Sequence, residues 1–283
     1  MKKFIAFIFV LLSAFTHSQE VDFNIKSQDL STSETYLVID KLNVSLLPKV
    51  SKAWFIPEKL HLAQDDMLAK QLKDPLNSFI VPVADMLEKG QINYKLIVCR
   101  GKSTNVLPKS KDSFGFYQGA SSLNIIASIF VDPAKMNTEF LTFYVSALAN
   151  LMRNSSMYAN QTKMTEILKK GFWYPELQTV HFDENDLDST MRKKDVLLSI
   201  MSKARVYKAE DIDQAVLNIG IDDLFADILE IKLKGGKTEV HRFFFSSSKG
   251  LVYHEVESTS TRKEKIFTKR DIYNYGKSDI NGK

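Results

Sequence analysis

The chain has 283 residues, 44% of them hydrophobic and 25% charged, values of an ordinary globular protein with room for one large domain or two small ones. Its formal charge of +4 falls to +2 if Lys2 and Lys3 are removed, and so near-neutral a balance argues against nucleic acid as a partner. Cys99 is the single cysteine, so no intrachain disulfide can form and stability must come from the core.

Lys2-Lys3 precede an apolar run from Phe4 to Phe15, and Thr16-His17-Ser18 stand before Gln19. This basic start, short apolar core and small-residue end predict a secretory signal over residues 1–18. The run is too short for an ordinary membrane-spanning helix, and retention as an anchor is the alternative. Cleavage after Ser18 would leave 283 − 18 = 265 residues, 19–283, as one α+β globular region in the periplasm or outside medium. No later apolar run is long enough to span a membrane.

Thr35 to Ile39 has strand composition. Pro57 can open a helix that places Leu60, Ala63, Met67, Leu68 and Leu72 on one face before Asp74-Pro75 stops it. A short helix is expected over Val83 to Lys89, then a strand from Ile92 to Cys99. Gly101 to Gly119 is loop-like, carries the aromatic patch Phe114-Gly115-Phe116-Tyr117, and is a candidate domain junction or binding loop. Leu123 to Val131 returns to strand composition. Asn137 or Thr138 can cap a helix whose stripe from Phe140 to Met152 has the spacing of a core-facing surface. Met164, Ile167 and Leu168 mark a shorter helix, followed by Phe172-Trp173-Tyr174-Pro175. Further helices are expected from Asp186 or Asp188 to about Ala204 and from Glu210 to Asn218.

The C-terminal stretch reads as an antiparallel meander. Leu229 to Lys234 alternates apolar and charged residues, and Gly235-Gly236 suits a two-residue hairpin turn into Thr238 to Phe245. That turn would set Ile231 opposite Val240, Lys232 opposite Glu239 and Glu230 opposite His241. Leu251 to Val256 forms a third strand, with Val240 matched to Val256 and Phe244 to Val252. Lys265 to Lys269 has the composition of a lysine-rich fourth, edge strand. No internal repeat is visible. The order of elements predicts an α+β fold, the meander packed against several amphipathic helices.

Chemical motifs are sparse. Gly101-Lys102-Ser103-Thr104 looks like the end of a phosphate loop, but Leu96 stands where the motif needs a glycine and Pro108 follows too soon for a helix. Ser246 and Lys249 have an acyl-enzyme spacing on what reads as a solvated turn. His181, Asp183, Glu184 and Asp186 gather metal-ligating groups without a complete ligand pattern, and an acidic helix start explains them as well. His241 and Glu255 could share an outer face with Glu230 for zinc or acid–base work, although charged pairs on a solvated sheet have the same pattern. Cys99 reads as a buried small hydrophobe. Phe114, Phe116, Tyr117, Trp173 and Tyr174 could form an aromatic binding platform.

No cofactor is implied. The leading expectation is an exported protein that binds a protein or small molecule, as an accessory component of the envelope or outside medium. The first alternative is a secreted hydrolase assembled from His181, Asp183, Glu184, His241 and Glu255. The second is a carrier with an apolar cavity beside Phe243, Phe245 or Tyr253.

Overall fold

The computed structural model describes residues 34–39, 42–54, 60–63, 65–87, 90–153, 178–201, 203–217, 223–233, 236–246, 250–258 and 265–277. The expected signal at 1–18, the helix around Met164 to Leu168, and Trp173 and Tyr174 lie outside the described residues.

The first half runs β1 (Glu34–Leu37), α1 (Leu47–Ala53), β2 (Leu60–Leu62), α2 (Asp65–Gln71), β3 (Asn77–Met86), β4 (Ile92–Arg100), β5 (Tyr117–Gln118), β6 (Asn124–Phe130) and α3 (Leu141–Arg153). The second half runs β7 (Val180–Asp183), α4 (Lys194–Ile200), β8 (Ala204–Tyr207), α5 (Ile212–Leu217), β9 (Leu224–Lys232), β10 (Thr238–Ser246), β11 (Gly250–Ser258) and α6 (Lys269–Lys277). One sheet has the order β2-β1-β3-β4-β6, with β5 added beside β3, and the other has the order β11-β10-β9-β7-β8. Read from the other end, the second is β8-β7-β9-β10-β11, the order of the first. In each five-strand order, the first three strands are parallel and the last two pairings antiparallel; β5 joins β3 in parallel.

The likeness extends to single residues. Leu87 N–H donates to Gln91 O at 2.8 Å and Leu233 N–H donates to Lys237 O at 2.8 Å, closing two hairpins of one kind. Gly90 (φ 72°) and Gly236 (φ 77°) hold the left-handed position that ends such a turn. The next pairing slips between Val98 and Cys99 in the first half and between Phe244 and Phe245 in the second, the same distance from the turn. The chain therefore contains a structural repeat invisible in its sequence.

Both sheets share one apolar core. Ile80, Ala84, Leu96 and Val98 of the first sheet join Phe225, Leu229, Phe243 and Phe245 of the second around α3, with Val50 of α1 and Ile212 of α5. Beyond the first sheet, Phe79, Val81 and Ile97 are covered by Leu68 of α2. Beyond the second, Ala226, Ile228, Val240 and Phe244 are covered by Leu197 of α4 and Ile272 of α6. The sheets thus stack in the same sense. The face bearing the first connecting helix and the closing helix points inward in the first half (α1, α3) and outward in the second (α4, α6).

Several sequence expectations need correction. Val83 to Met86 belongs to β3, not a helix. Pro82 is tolerated in this central strand because it falls between β1, paired to 77–80, and β5, paired to 83–84. Leu60 to Leu62 is β2, and the helix expected from Pro57 covers only Asp65–Gln71. The helix expected to reach Ala204 covers Lys194–Ile200, and Ala204 opens β8. The antiparallel meander β9-β10-β11 forms, but β7 and β8 extend it in parallel.

The meander's register also differs. The Gly235-Gly236 loop is longer by one residue, which pairs Glu239 with Ile231, Val240 with Glu230 and His241 with Leu229. On the other side His241 meets Val256 and Phe244 meets Tyr253. Lys265–Lys269 forms no fourth strand; Phe267 makes one parallel bridge to Leu187 and Lys269 begins α6.

Candidate functional site

The two halves meet at a buried set of charges. Asp227 lies on the β9 face turned toward α3 and is fully buried. Pro133–Lys135 forms a 3-10 turn, capped by the Asp132 carboxylate, which accepts from Ala134 N–H at 3.0 Å. The turn aims the Lys135 ammonium at Asp227 Oδ1, where the two form an ion pair, and over the Phe140 ring, 4.7 Å from its centre. Tyr144 of α3 donates its hydroxyl to Asp227 Oδ2 at 2.9 Å and accepts Asp132 N–H at 3.1 Å. Both Asp227 oxygens are therefore engaged.

Asp186, on the turn that follows β7, acts on this cluster through its charge. The Asp183 carboxylate fixes that turn by accepting Asn185 N–H at 2.8 Å. Asp186 Oδ2 is enclosed and has no hydrogen-bond partner among the described residues. Burial pushes the Asp186 carboxyl up to about 7, against the pull of Lys135, while Asp227 and Asp183 push the same way as burial. Burial opposes the Lys135 charge, but Asp227, Asp186 and Asp132 outweigh it and raise the ammonium above its ordinary value. Burial and then Asp227 raise the Tyr144 phenol. The arrangement can hold a proton near neutral pH beside a fixed lysine–aspartate pair.

The two histidines singled out by sequence are buried and lie apart. His181 Nε2 meets Asp223 Oδ2 at 3.0 Å and Nδ1 meets the Tyr207 hydroxyl at 3.1 Å. His241 Nε2 meets Glu239 Oε2 at 3.2 Å. His181 stands opposite Phe225 and His241 opposite Leu229, a separation of about 13 Å along β9 at ~3.3 Å per residue. Burial lowers the pKa of both, with Asp223 and Glu239 opposing it. His241, expected on an outer face with Glu230, is turned inward by the one-residue register change, and Glu230 pairs with Lys232 instead. The side chain of Glu255 lies outside the described residues; its backbone pairs with Arg242. Glu184 opens the 3-10 turn that ends at Asp186. Among the described residues, no group of three or more His, Cys, Asp and Glu side chains is arranged to hold a metal ion.

The aromatic loop has a built geometry. Asp112 Oδ1 accepts Phe114 N–H at 3.0 Å and Phe116 N–H at 2.9 Å, while Asp112 N–H donates to Phe116 O at 2.9 Å. Gly115, with φ 87°, supplies the left-handed residue the turn needs. Phe116 and Tyr117 are buried and anchor the loop on opposite sides of the sheet. Phe114 is left 55% exposed with its edge on Tyr94, ring centres 5.7 Å apart. Of the expected platform, Phe114 alone among the described residues faces solvent. The loop occupies residues 101–123 between β4 and β6, whereas 247–249 make the matching connection in the second half. It is an addition that the repeat does not require.

The remaining motifs find structural uses. A Cβ on Gly101 would lie 1.7 Å from Asp74 O, so close backbone approach accounts for this glycine, and no helix follows it. Ser246 is buried within β10 rather than solvated, and Lys249 lies outside the described residues. Cys99 is buried, which pushes its thiol up to about 12. Phe243 and Phe245 stack 5.6 Å apart, and Phe245 lies 5.7 Å from Tyr144 and 6.1 Å from Phe140. These are spacings of a filled aromatic core.

Lys135, Tyr144, Asp227 and Arg242 were not singled out by sequence. Arg242 is fully buried on the outward face of the second sheet. There Nε lies 3.3 Å from Asp271 and Nη2 donates to Glu257 at 3.2 Å. The available signal was a charge within an apolar strand run, Phe225-Ala226-Asp227-Ile228-Leu229 for one and His241-Arg242-Phe243 for the other. Comparison with known proteins adds no relative: no family model, curated protein or solved structure matches the chain.

Proposed function

We propose that the chain is an exported protein that works by binding, as an accessory or interaction component of the cell envelope or outside medium, and that the 101–123 loop makes the contact. The observation that supports this most is Phe114, an exposed aromatic side chain on a turn fixed by Asp112, in a segment absent from the other half. An aromatic residue held in place before binding loses little conformational entropy on contact, the property of an interface anchor. Long loops beyond what a fold needs are places where function concentrates. A hydrolase would draw on His181 and His241 together, and they stand apart with separate acid partners.

The test is a thermal-shift screen of residues 19–283 against peptides, sugars, fatty acids and divalent metals, run in parallel on Phe114→Ser. A ligand at 100 times its dissociation constant stabilises by about 2.7 kcal/mol. Stabilisation of the parent chain that disappears in Phe114→Ser supports the reading. A ligand that stabilises both chains equally overturns the assignment to this loop.

A further inference from the structure

The second half carries a hydrogen-bonded relay that the aromatic loop does not explain. Asp223 stands immediately before β9, His181 lies on β7, and Tyr207 closes β8, the end strand of its sheet. A carboxylate can only accept, so His181 Nε2–H donates to Asp223 Oδ2 at 3.0 Å, and Nδ1 of the neutral ring accepts the Tyr207 hydroxyl at 3.1 Å. The imidazole is buried and stacked on Tyr207 and Phe225, with ring centres 5.5 and 6.4 Å away. Burial disfavours its charged form and so keeps the Nδ1 lone pair available to the phenol. The fold does not demand this set. His181 faces Phe225 and Arg205 across the strands as Tyr36 of the first half faces Phe79 and His61. The positions matching His181, Tyr207 and Asp223 are thus Tyr36, Ala63 and Asn77, where Tyr36 donates to Glu34 and Asn77 to the Gln71 carbonyl.

We propose that Tyr207 is a nucleophile, with His181 its general base and Asp223 the group that positions the imidazole, and that the site takes the phosphorus of an anionic phosphate ester. A nucleophile within hydrogen-bond reach of a base that a third group orients is the arrangement of covalent catalysis. Tyr207 is half-buried on an end strand, so its ring is anchored while part of it meets solvent. Arg205 is exposed two residues away on the same face of β8, and its charge acts on His181. A guanidinium there supplies the counter-charge that an incoming phosphate needs. In the step, the bond from Tyr207 Oη to phosphorus forms as the bond to the leaving oxygen breaks. The phenol proton passes to Nδ1, and Asp223 holds the imidazolium. The leaving oxygen departs with the electron pair and then takes that proton. The relay uses His181 alone, so its separation from His241 does not bear on it.

Labelling of the whole chain with para-(fluorosulfonyl)benzoate, followed by peptide mass spectrometry, tests this. The reagent is anionic, reacts with phenols and presents a tetrahedral sulfur in place of phosphorus. Tyr207 is expected to be labelled at least about tenfold faster than Tyr273, which is exposed on α6 and serves as the internal control. That ratio should shrink several-fold with the neutral phenylmethanesulfonyl fluoride and in Arg205→Gln. It should fall about tenfold in Asp223→Asn and recover in Asp223→Glu, with Tyr273 unchanged throughout. A Tyr207 rate no greater than that of Tyr273 in the parent chain overturns the assignment, a result that does not depend on any variant folding. A ratio unchanged in Asp223→Asn overturns the relay, and equal ratios for the two reagents overturn the anionic class of substrate.

Discussion

The two halves solve one packing problem with different side chains, and the differences mark where the second half has acquired something the first lacks. Aligning the hairpins through Leu87 with Leu233 and Gly90 with Gly236 sets Val81 against Asp227 and Leu96 against Arg242. All four are fully buried. Val81 and Asp227 lie on the face covered by the second connecting helix, and Leu96 and Arg242 on the face covered by the closing helix. The first half shows that this architecture is satisfied by aliphatic residues at both places. Charges at the same places in the second half are therefore not demanded by the fold, and each is answered by a partner, Lys135 and Tyr144 for Asp227, Asp271 and Glu257 for Arg242.

The closing helices differ in a complementary way. Residues Phe143 to Ala149 of α3 are buried throughout, because that helix lies between two sheets. Its counterpart α6 buries Ile272 and exposes Tyr273, Lys269 and Arg270, as suits a helix with a sheet on one side and solvent on the other. Thr268 and Asp271 form its N-terminal cap, with Thr268 N–H donating to Asp271 Oδ2 at 2.6 Å. Lys269 and Arg270 give α6 a charged outer side, as terminal repeats have in repeat proteins.

The sharpest break in the comparison is to give the second half the residue of the first. Asp227→Val should cost about 3–5 kcal/mol in denaturant unfolding, because it strands the Lys135 charge. The double change Asp227→Val with Lys135→Met should recover most of that loss, since the pair would then be replaced by apolar groups. Equal loss in single and double variants would mean that the cluster contributes through shape and not charge.

Next comes pH. The folded-state value of Asp186 is raised from 3.8 to about 7, so its stabilising effect is complete below the unfolded value and is lost as pH rises through 7. The difference corresponds to on the order of 4 kcal/mol between solution below pH 4 and solution above pH 7. His181 and His241 act in the opposite sense. Their values are lowered in the folded state, so their contribution is present above the ordinary histidine range and is lost as pH falls through it. The two windows overlap below pH 7, so Asp186→Asn should remove the loss that accompanies rising pH between about 4 and 7 and leave the histidine contribution in place. A thermal melting series across pH for both chains checks it.

A smaller effect is expected where one half is stitched to the other by neutral groups. Asn93, on β4, donates to Lys232 O at 2.6 Å and accepts Lys232 N–H at 2.8 Å, copying a strand partner with its side-chain amide. Asn93→Ala should cost about 1–3 kcal/mol by leaving Lys232 unpaired. A loss below the error of a urea titration would show that water replaces the amide.

Strands were legible in the sequence wherever a run of β-branched and apolar residues had one buried face, as from Ile92 to Cys99 and from Thr238 to Phe245. Val83 to Lys89 misled because alanine, methionine, leucine and glutamate favour a helix locally, and pairing with β4 and β5 overrides that preference. The meander's register was lost because a Gly-Gly pair fits both a two-residue turn and the longer turn observed. The repeat was hidden because burial constrains apolar character and size and not identity. Between residues 78–100 and 224–246, Phe79, Leu87 and Gly90 recur as Phe225, Leu233 and Gly236, and the rest has changed. The acidic run around Asp186 was visible, but Lys135 and Asp227, whose charges act on it, lie far away in sequence.

The smallest stability effect should fall in the 101–123 loop, and its smallness is informative. Phe114 is more than half exposed, so Phe114→Ser should change unfolding free energy by no more than about 0.5 kcal/mol. Asp112→Ala removes the acceptor of two backbone N–H groups and should cost about 1 kcal/mol. If the loop serves recognition, the order reverses for binding: Phe114→Ser should abolish ligand stabilisation, and Asp112→Ala should weaken it by disordering the turn that presents the ring. A Phe114→Ser variant that melts several degrees lower would instead place the ring among the groups that hold Tyr94 and Phe116 together. The added segment would then be a cover for the first sheet, at the edge where only three residues, 247–249, separate the corresponding strands of the second half.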